Sequence, residues 1–378
     1  MQTGGYGQLG RSFGLFGDHV RSLEIIDFEG KERKVTRESD PDLFWAILGG
    51  SPGNFGVLTH FTLEVYRDED YKGALGMKAL FLYDEKQVKR LMAMIARMAD
   101  EGDWPRNYDL CASVLSSSFP LGSLAWPGLD TKMKQEMPGI FGEDKVIGWP
   151  KTMVVYAQWV PVVKGEQPDK RVIDWFNEIG KGSLKLFTDG IMRDKSMSAL
   201  TRQWLFMDVR EFDLPYEKRT YLTNSTTLQK DNWPEWVAGR ISKVVEPWDN
   251  KQWLSCQIQY FGGKNSMFVR NRNNGTSYSW REDSTVCATL DNFHWSIERD
   301  AALAWQKEND QVGIGKAGVF SKEDRRVLWG SYGSFDFDSV HRTYHETEEK
   351  YKKLGQIRTR MDPDGTFTPN TFCVKKDG

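Results

Sequence analysis

The sequence GGYGQLGRSFGLFGDHV at residues 4–20 carries six glycines among its seventeen positions. Glycine at this density lets the backbone approach a flat or phosphorylated ligand closely, because no Cβ stands in the way. Residues 5–10 also fit the pattern GxGxxG, which in dinucleotide-binding folds follows a strand and opens a helix. Here the strand pattern comes after the glycines, at residues 20–28, so we reject a dinucleotide-binding fold of that type.

The segments that follow predict a small sheet and a helix. Residues 20–36 have the pattern of a β-hairpin. A helix is predicted over 42–48, with Asp40 as its N-cap. A second glycine-rich loop at 50–56 then leads into an alternating strand over 57–66.

The rest of the chain alternates strands with helices. Strands are predicted over 73–82, 108–115, 152–160, 253–260 and 284–293, and helices over 84–98, 170–179, 235–245 and 297–308. Residues 119–150 predict a loop-rich insertion, and residues 339–360 predict one long charged helix. The pattern predicts an α+β fold with a mainly antiparallel sheet that helices cover on one face.

Composition excludes several classes of protein. The 378 residues include 51 basic and 53 acidic side chains, and the net charge of −2 gives no global attraction to nucleic acid or anionic lipid. No apolar run is long enough to predict a membrane span. The four cysteines are scattered and form no CxxC pair, so neither a disulfide framework nor a cysteine metal site is predicted.

Two predicted strands have one polar side each. In residues 152–160, Tyr156 and Gln158 alternate with apolar residues, and in residues 253–260 Gln257 and Gln259 do the same. In a central strand, such side chains face either a ligand cavity or solvent. Both alternatives stay open, and the four residues are the pocket candidates.

Histidine and nucleophile motifs give little support to other chemistry. His294 follows a strand, and both a structural and a catalytic role stay open for it. His341 and His345 are four apart on the predicted long helix, where a solvated face is the preferred interpretation over a metal site. The sequence contains no HExxH, GxSxG or GxxxxGK[ST] motif.

Three segments resemble the berberine-bridge-enzyme-like FAD-linked oxidases, which contain a PCMH-type flavin domain. Residues 4–20 resemble the family pattern GGGxGxLxRxxGLxxDxV, and residues 40–59 resemble DLFWAxRGGGGGNFGVVT. Residues 351–370 are similar to the family's closing helix and its DPxxxF signature. The segments occur in the family order, and the variant GGYGQLGRSFGL resembles fungal members.

The resemblance implies a domain organisation and a set of flavin contacts. Residues 1–70 and 325–378 would form a discontinuous flavin domain, and residues 71–324 a substrate domain whose open sheet face roofs the flavin. The residues whose backbone would line FAD are Gly4, Gly5, Gly7, Gly53, Asn54, Gly56 and Val57, and Asn370 lies in the C-terminal segment that approaches the flavin in relatives.

One departure from the family bears on the cofactor. In relatives, a preceding subdomain holds the pyrophosphate and carries the histidine, and often a cysteine, that attach the flavin. We expect this chain to lack that subdomain, and no cysteine stands at the linking position. Three lost phosphate hydrogen bonds of roughly 1.5–3 kcal/mol each would weaken binding by several kcal/mol. The expectation is therefore non-covalent FAD, or none.

These patterns leave three hypotheses. The first is an FAD-dependent oxidase-like enzyme acting on a small secondary-metabolite substrate, with Tyr156 or His294 as the base. The second is a cofactor-free enzyme on the same scaffold that catalyses cyclisation, dehydration or a pericyclic reaction. The third is an interaction protein in which a second copy or a partner chain covers the exposed sheet edge. The localisation is left open, since relatives are often secreted.

Overall fold

The computed structural model describes thirteen stretches of the chain and one further residue. These are residues 1–100, 103–117, 128–136, 138, 149–182, 185–188, 190–204, 214–223, 232–246, 251–282, 285–313, 325–328, 337–367 and 374–376. Most of the predicted loop-rich insertion at 119–150 lies outside them. Within these stretches, no helix is long and apolar enough to cross a membrane.

The described strands form two sheets in which every pair is antiparallel. They are β1 (Val20–Ile26), β2 (Glu32–Thr36), β3 (Val57–Leu63), β4 (Leu75–Leu82), β5 (Tyr108–Leu115), β6 (Thr152–Trp159), β7 (Lys185–Thr188), β8 (Tyr216–Leu222), β9 (Gln252–Tyr260) and β10 (Val286–His294). The small sheet has the order β2-β1-β3, and the large sheet has the order β7-β4-β6-β5-β9-β10-β8.

Helices accompany both sheets. They are α1 (Gly10–Phe13), α2 (Pro41–Ile47), α3 (Glu85–Asp100), α4 (Leu129–Glu136), α5 (Lys170–Gly180), α6 (Met197–Trp204), α7 (Trp233–Val244), α8 (Met267–Arg270), α9 (Arg299–Gly313), α10 (Phe337–His345) and α11 (Glu348–Met361). Short 3₁₀ turns occupy Phe16–His19, Asp68–Tyr71, Asn271–Asn273 and Ser296–Glu298. This mixture of helices and antiparallel sheets confirms the predicted α+β class.

The small sheet forms as the sequence pattern predicts. β1 and β2 pair as a hairpin, and Gly30 in its turn has φ 77°, a conformation that favours glycine. The Asp40 side chain accepts a 3.0 Å hydrogen bond from the Leu43 N–H and so caps α2, with Pro41 at the first helical position. The helix then packs buried Phe44 toward the sheet core.

Helices cover one face of the large sheet. The apolar side of β6 and that of β9 enter one core with α3, α5 and α7. From the strands, that core takes Met153, Val155, Ala157, Trp159, Leu254, Cys256, Ile258 and Tyr260. In α5, the Asp169 side chain accepts from the Val172 N–H at 3.1 Å, which fixes the start of the helix. The predicted alternation of both strands is therefore confirmed.

The predicted long helix at 339–360 is wrong, because two helices occupy that segment. α10 ends at His345, Glu346 has a positive φ of 72°, and α11 begins at Glu348. Thr347 caps α11 by accepting a 3.2 Å hydrogen bond from the Lys350 N–H. His345, the last residue of α10, has a buried side chain, and burial lowers its pKa to about 3. A solvated face for this histidine is therefore wrong.

The hydrophobic cores do not follow the predicted domain boundaries. The core of the small sheet includes four aromatic residues from the segment 261–282, namely Phe261, Phe268, Tyr278 and Trp280. That segment lies inside residues 71–324, the predicted substrate domain. The division into 1–70 with 325–378 and 71–324 stays a prediction, and the packing ties residues 261–282 to the first part of the chain.

A buried ion pair connects residues 261–282 directly to the first part of the chain. The two terminal nitrogens of Arg281 each donate to one carboxylate oxygen of Asp18 at 2.7 Å, and both side chains are 1% exposed. Asp18 also accepts from the Leu15 N–H and from the Asn274 amide, each at 2.8 Å. The Arg281 Nε donates to the Phe268 carbonyl at 2.6 Å. Both charges are thus satisfied by several partners, which a buried ion pair requires.

We predict that Asp18→Asn lowers the free energy of unfolding by about 3–5 kcal/mol, because it leaves the Arg281 charge buried without its counter-charge. Urea unfolding of both proteins measures the change. Glu64→Gln is the matched control, since Glu64 pairs with Arg21 at the surface and loss of such a pair costs about 0–1 kcal/mol. Equal effects from the two substitutions would contradict a stabilising role for the Asp18–Arg281 pair.

Candidate active site

The second face of the large sheet is polar and mostly buried. It carries the residues that alternate with the helix-packed ones, and we call it the polar face. Its members include Lys78, Asp109, Cys111, Ser113, Tyr156, Gln158, Ser255, Gln257, Gln259, Cys287, Thr289 and Asp291. Tyr156 is 2% exposed, Gln158 is fully buried and Gln259 is 7% exposed, so a solvated sheet face is wrong for these three, whereas Gln257 is half-buried.

Tyr156 lies near the middle of the polar face. Its register partners are Lys78 on β4 and Cys111 on β5. The Lys78 Nζ is 5.6 Å from the centroid of the Tyr156 ring. Burial raises the pKa of the Tyr156 phenol well above its ordinary value, and it raises the pKa of the Cys111 thiol to about 12. Both groups therefore carry their protons at neutral pH, beside a lysine.

Gln259 connects the polar face to the first glycine-rich stretch. It lies between Cys111 and Cys287 in the sheet register, and its side-chain amide donates to the Gly7 carbonyl at 2.9 Å. The Gln257 amide in turn donates to the Gln259 Oε1 at 3.4 Å. The structure therefore brings two of the predicted pocket residues together with one predicted flavin contact.

Gln158 has a different environment. Its Nε2 donates to the Met197 carbonyl at 3.1 Å, and its Oε1 accepts from the Thr201 hydroxyl at 3.1 Å. Both partners belong to α6, which packs over this part of the sheet. Because its donor and acceptor are used by the fold, Gln158 holds α6 in place on the polar face.

Asp109 is a site residue that sequence reasoning missed. Its carboxylate accepts from the Arg11 N–H at 2.9 Å and from the Ser12 hydroxyl at 2.5 Å. Burial raises its pKa to about 7, against the lowering effect of these hydrogen bonds. The alternation within YDLCASVL, residues 108–115, is the signal that would have found Asp109, Cys111 and Ser113 together.

Arg11 strengthens the contact between α1 and the large sheet. Its guanidinium donates to the Gly262 carbonyl at 2.9 Å and to the Tyr108 carbonyl at 2.6 Å, and the side chain is fully buried. It also lies over the Tyr260 ring, 4.8 Å from the centroid. α1 is therefore fixed to the ends of β5 and β9.

His294 lies away from this cluster. In β10 it shares a face with Val286, Ala288 and Leu290, which pack in the helix-covered core. It is buried, and its Nδ1 is 2.8 Å from the Trp295 carbonyl. The structure therefore places His294 and Tyr156 on opposite faces of the sheet, and it leaves Tyr156 as the base candidate on the polar face.

Gly4 and Gly5 belong to a closely packed pair of loops. The Gly49 N–H donates to the Gln2 carbonyl at 2.8 Å, which joins the first glycine-rich stretch to the second. Gly4 and Gly5 have φ values of 130° and 70°. A Cβ on Gly5 would lie 2.5 Å from the Phe16 Cβ, so only glycine fits there.

Gly7 is the accessible member of the same stretch. It is exposed, and a Cβ built on it would meet no atom within 4 Å. This open space adjoins the hydrogen bond to Gln259. The backbone at Gly7 therefore leaves room for a ligand, and the prediction that FAD contacts Gly7 stays a prediction.

Asn54 serves the fold through its side chain. Its amide nitrogen donates to the Gly50 carbonyl at 2.9 Å, while its oxygen accepts from the Val374 N–H at 2.9 Å and from Arg358 at 3.2 Å. The side chain is fully buried. It thus anchors the C-terminal segment to the second glycine-rich loop, and any contact of Asn54 with a cofactor would use its backbone.

Apart from Asn370, the remaining predicted FAD contacts lie near the start of β3. Gly53 has φ 79°, and Gly56 has φ 130° with an added Cβ only 2.9 Å from the Ile26 carbonyl. Val57 opens β3 and is 55% exposed. Asn370 lies outside the described residues. Within the described residues, no group of three or more metal-ligating side chains occurs.

Comparison with known sequences gives short, clear matches. The chain is 43% identical over 68 residues to the FAD-linked oxidoreductase malF of Malbranchea aurantiaca, and 39% identical over 90 residues to berberine bridge enzyme-like 19 of Arabidopsis thaliana. The matches cover 18% and 20% of this chain, but only 12% and 15% of those relatives. No protein-family model matches the sequence.

Comparison of structures covers almost the whole chain. It superposes on a xylooligosaccharide oxidase from Myceliophthora thermophila C1, in complex with xylobiose, with a TM-score of 0.67 and 15% identity. For the glucooligosaccharide oxidase from Acremonium strictum, which carries a 6-S-cysteinyl, 8α-N1-histidyl FAD, the TM-score is 0.66 with 14% identity. Each comparison covers 99% of this chain and 70% of the other.

The structural matches define the fold: it is that of the PCMH-type FAD-linked oxidases. The sequence matches confirm the predicted resemblance: over these short stretches the chain is similar to FAD-linked oxidoreductases and berberine bridge enzyme-like proteins.

Proposed function

We propose that the chain is an FAD-dependent oxidoreductase of the oxidase type, acting on a small organic substrate over the polar face. The observation that carries this proposal is the 2.9 Å hydrogen bond from Gln259 to the Gly7 carbonyl, which sets an open glycine backbone beside a buried face holding Tyr156. The relatives with matching sequence are named FAD-linked oxidoreductases, several of them fungal, and one structural neighbour holds xylobiose.

The proposed cofactor contacts come from the two glycine-rich loops. The backbones of Gly4, Gly5, Gly7, Gly53, Asn54, Gly56 and Val57, with Asn370, would hold FAD, which when bound supplies a hydride acceptor. We propose that the attachment is non-covalent. Cys111 and Cys287 are buried in strands, where burial raises the pKa of each thiol and makes the reactive thiolate costly.

Retention of FAD tests the cofactor proposal. We expect protein mixed with FAD and desalted to keep a visible flavin absorbance, and acid precipitation to release the flavin into the supernatant. Gly7→Leu should abolish retention, because it fills the open space beside Gln259. Gly239→Leu is the matched control: Gly239 lies on α7 and also has no atom closer than 4.0 Å to an added Cβ.

Three results would contradict the cofactor proposal. A colourless protein after desalting would exclude tight FAD binding. A flavin that stays with the acid precipitate would show covalent attachment. Equal retention by the Gly7→Leu and Gly239→Leu variants would place the cofactor away from the first glycine-rich stretch.

Tyr156 is the proposed proton acceptor for the substrate hydroxyl or amine. Its phenol must ionise to act as a base, and burial opposes this by raising its pKa. Because the pKa lies above the ordinary value, the ionised fraction, and with it kcat/KM, should rise about tenfold per pH unit from neutral to alkaline pH.

Tyr156→Phe should lower turnover of an oxidised alcohol or amine at least about tenfold and remove this rise with pH. The measurement is kcat/KM against pH with FAD present. Tyr83→Phe makes the same chemical change on the helix-covered side and should leave the profile unchanged. A Tyr156→Phe profile equal to that of the unsubstituted protein would remove Tyr156 from the mechanism.

A cofactor-free enzyme is the second candidate. It is favoured by the polar face itself, where Asp109 and Tyr156 are buried groups whose pKa values are raised by burial. Such an enzyme would orient a substrate on the polar face and act by positioning and electrostatics. Turnover by protein shown to be free of flavin would support this candidate, and turnover that depends strictly on added FAD would exclude it.

We also propose that a second polypeptide covers the β3 edge of the small sheet. β3 is an edge strand with residues exposed on both faces, and Phe61, 47% exposed, stacks edge-on with Phe16 at 5.7 Å. Edge strands with exposed apolar residues favour pairing with another chain.

Light scattering should therefore show a dimer, or a stable complex with a co-expressed partner, which Phe61→Lys disrupts. Val163→Lys is the control, because Val163 is exposed away from this edge. A monomer at all concentrations with no partner retained would contradict the proposal.

A further inference from the structure

The segment from Gly7 to Ser12 is held on the large sheet at two neighbouring points. At the first point, the Gln259 amide donates to the Gly7 carbonyl at 2.9 Å. At the second, the Asp109 carboxylate accepts from the Arg11 N–H at 2.9 Å and from the Ser12 hydroxyl at 2.5 Å. Both of these side chains, which we call the two anchors, belong to the polar face and hold adjacent parts of one short segment.

The two anchors are neighbours in the sheet. Gln259 on β9 is the register partner of Cys111 on β5, and Asp109 precedes Cys111 by two positions in the same strand. Side chains two positions apart on one strand point to the same face. The anchors therefore lie diagonally across the β5–β9 pair, where both reach the same segment.

Asp109 supplies an acceptor that the start of α1 lacks. The helix spans Gly10–Phe13, and its N-cap residue, Leu9, makes no side-chain capping hydrogen bond. The first N–H groups of a helix have no partner within the helix. The Asp109 carboxylate binds one of them from another part of the chain, so the position of α1 depends on β5.

Of the two anchors, the carboxylate is the one that changes its charge near neutral pH. Asp109 is 1% exposed, and burial raises the pKa of its carboxyl to about 7, against the lowering effects of Ser12 and Arg11. An ionised carboxylate accepts hydrogen bonds more strongly than a neutral carboxyl, because the bonds become charge-assisted. The hold on α1 therefore strengthens as the pH rises through about 7.

The side chains around Asp109 keep one charge state in this pH range. Those from α1, the preceding loop, β5, β6 and β9 are Arg11, Arg106, Tyr108, Cys111, Gln158 and Gln259. The arginines stay cationic. Burial raises the pKa of Tyr108 and that of Cys111 to about 12, so both stay neutral. The two glutamines carry no charge, and α6 meets Gln158 through a carbonyl and a hydroxyl.

We propose that Asp109 is a positioning residue for the first glycine-rich stretch, and that its ionised form fixes Gly7 on the polar face. Because the two anchors share one segment, a weaker hold on α1 also loosens the contact between Gly7 and Gln259. The consequence for a cofactor rests on the proposed function, in which Gly7 contacts FAD. On that basis FAD binds more tightly when Asp109 is ionised.

Nuclear magnetic resonance of the flavin-free full chain tests the positioning without the cofactor. The aspartate carboxyls carry ¹³C and the glutamine side-chain amides carry ¹⁵N. Asp109→Asn and Gln259→Leu identify the two relevant signals by their loss. We expect both signals to change with pH along one curve with a midpoint of about 7. In Asp109→Asn, the Gln259 signal should no longer change with pH.

Ser12→Ala is a second variant, and it keeps the carboxylate. It removes a hydrogen bond that favours the ionised form, so the midpoint should move to higher pH by about one pH unit. Asp84→Asn is the matched control. Asp84 accepts from the Lys86 N–H at 3.0 Å at the start of α3, away from the glycine-rich stretches, and its substitution should leave both curves unchanged.

Equilibrium binding of FAD separates the positioning from the proposed function. From about pH 6 to about pH 8, the Kd of the unsubstituted chain should fall about tenfold, whereas that of Asp109→Asn should stay constant. No FAD binding at either pH would contradict the proposed function, and the two resonance curves would still decide the positioning.

Three results would overturn the positioning role. The first is an Asp109 signal that changes with pH while the Gln259 signal does not. The second is a Gln259 signal that follows the same curve in Asp109→Asn as in the unsubstituted chain. The third is a tenfold fall in the Kd for FAD that persists in Asp109→Asn.

Discussion

The buried ion pair between Asp18 and Arg281 is the constraint on which the arrangement of the site depends. It joins the end of the glycine-rich stretch to a segment that follows β9, and both charges are removed from water. Such a pair offsets its desolvation cost only when its geometry is good and further hydrogen bonds satisfy the remaining donors and acceptors. In the same arrangement α1 meets the sheet, where Asp109 receives the Arg11 N–H, and Gly7 meets Gln259.

The large sheet uses its two faces for different purposes. One face packs apolar side chains under helices and supplies the stability of this part of the chain. The polar face holds a phenol, a lysine, thiols and amides that the sheet's burial keeps away from solvent. Burial raises the pKa of Tyr156 and that of Asp109. Clusters of groups with shifted pKa values are typical of catalytic sites. The polar face is the candidate active site for this reason.

Much of this could be predicted from the sequence because strand alternation is a local signal. The apolar and polar sides of β6 and β9 could be predicted from the alternation within residues 152–160 and 253–260. The predictions that failed concern features that depend on tertiary contacts. The helix break at Glu346 uses a left-handed backbone conformation that no glycine marks, and the burial of His345 depends on packing between elements. The separation of His294 from Tyr156 depends on strand register, which residue type alone does not specify.

Hydrogen exchange with and without FAD tests the central claim, that the first glycine-rich stretch and the polar face together form one cofactor site. The account predicts that FAD slows amide exchange in residues 4–13 and in β9, where Gly7 and Gln259 meet, while exchange in α3 and α5 stays unchanged. Slower exchange confined to the helical layer, or none in residues 4–13, would contradict it.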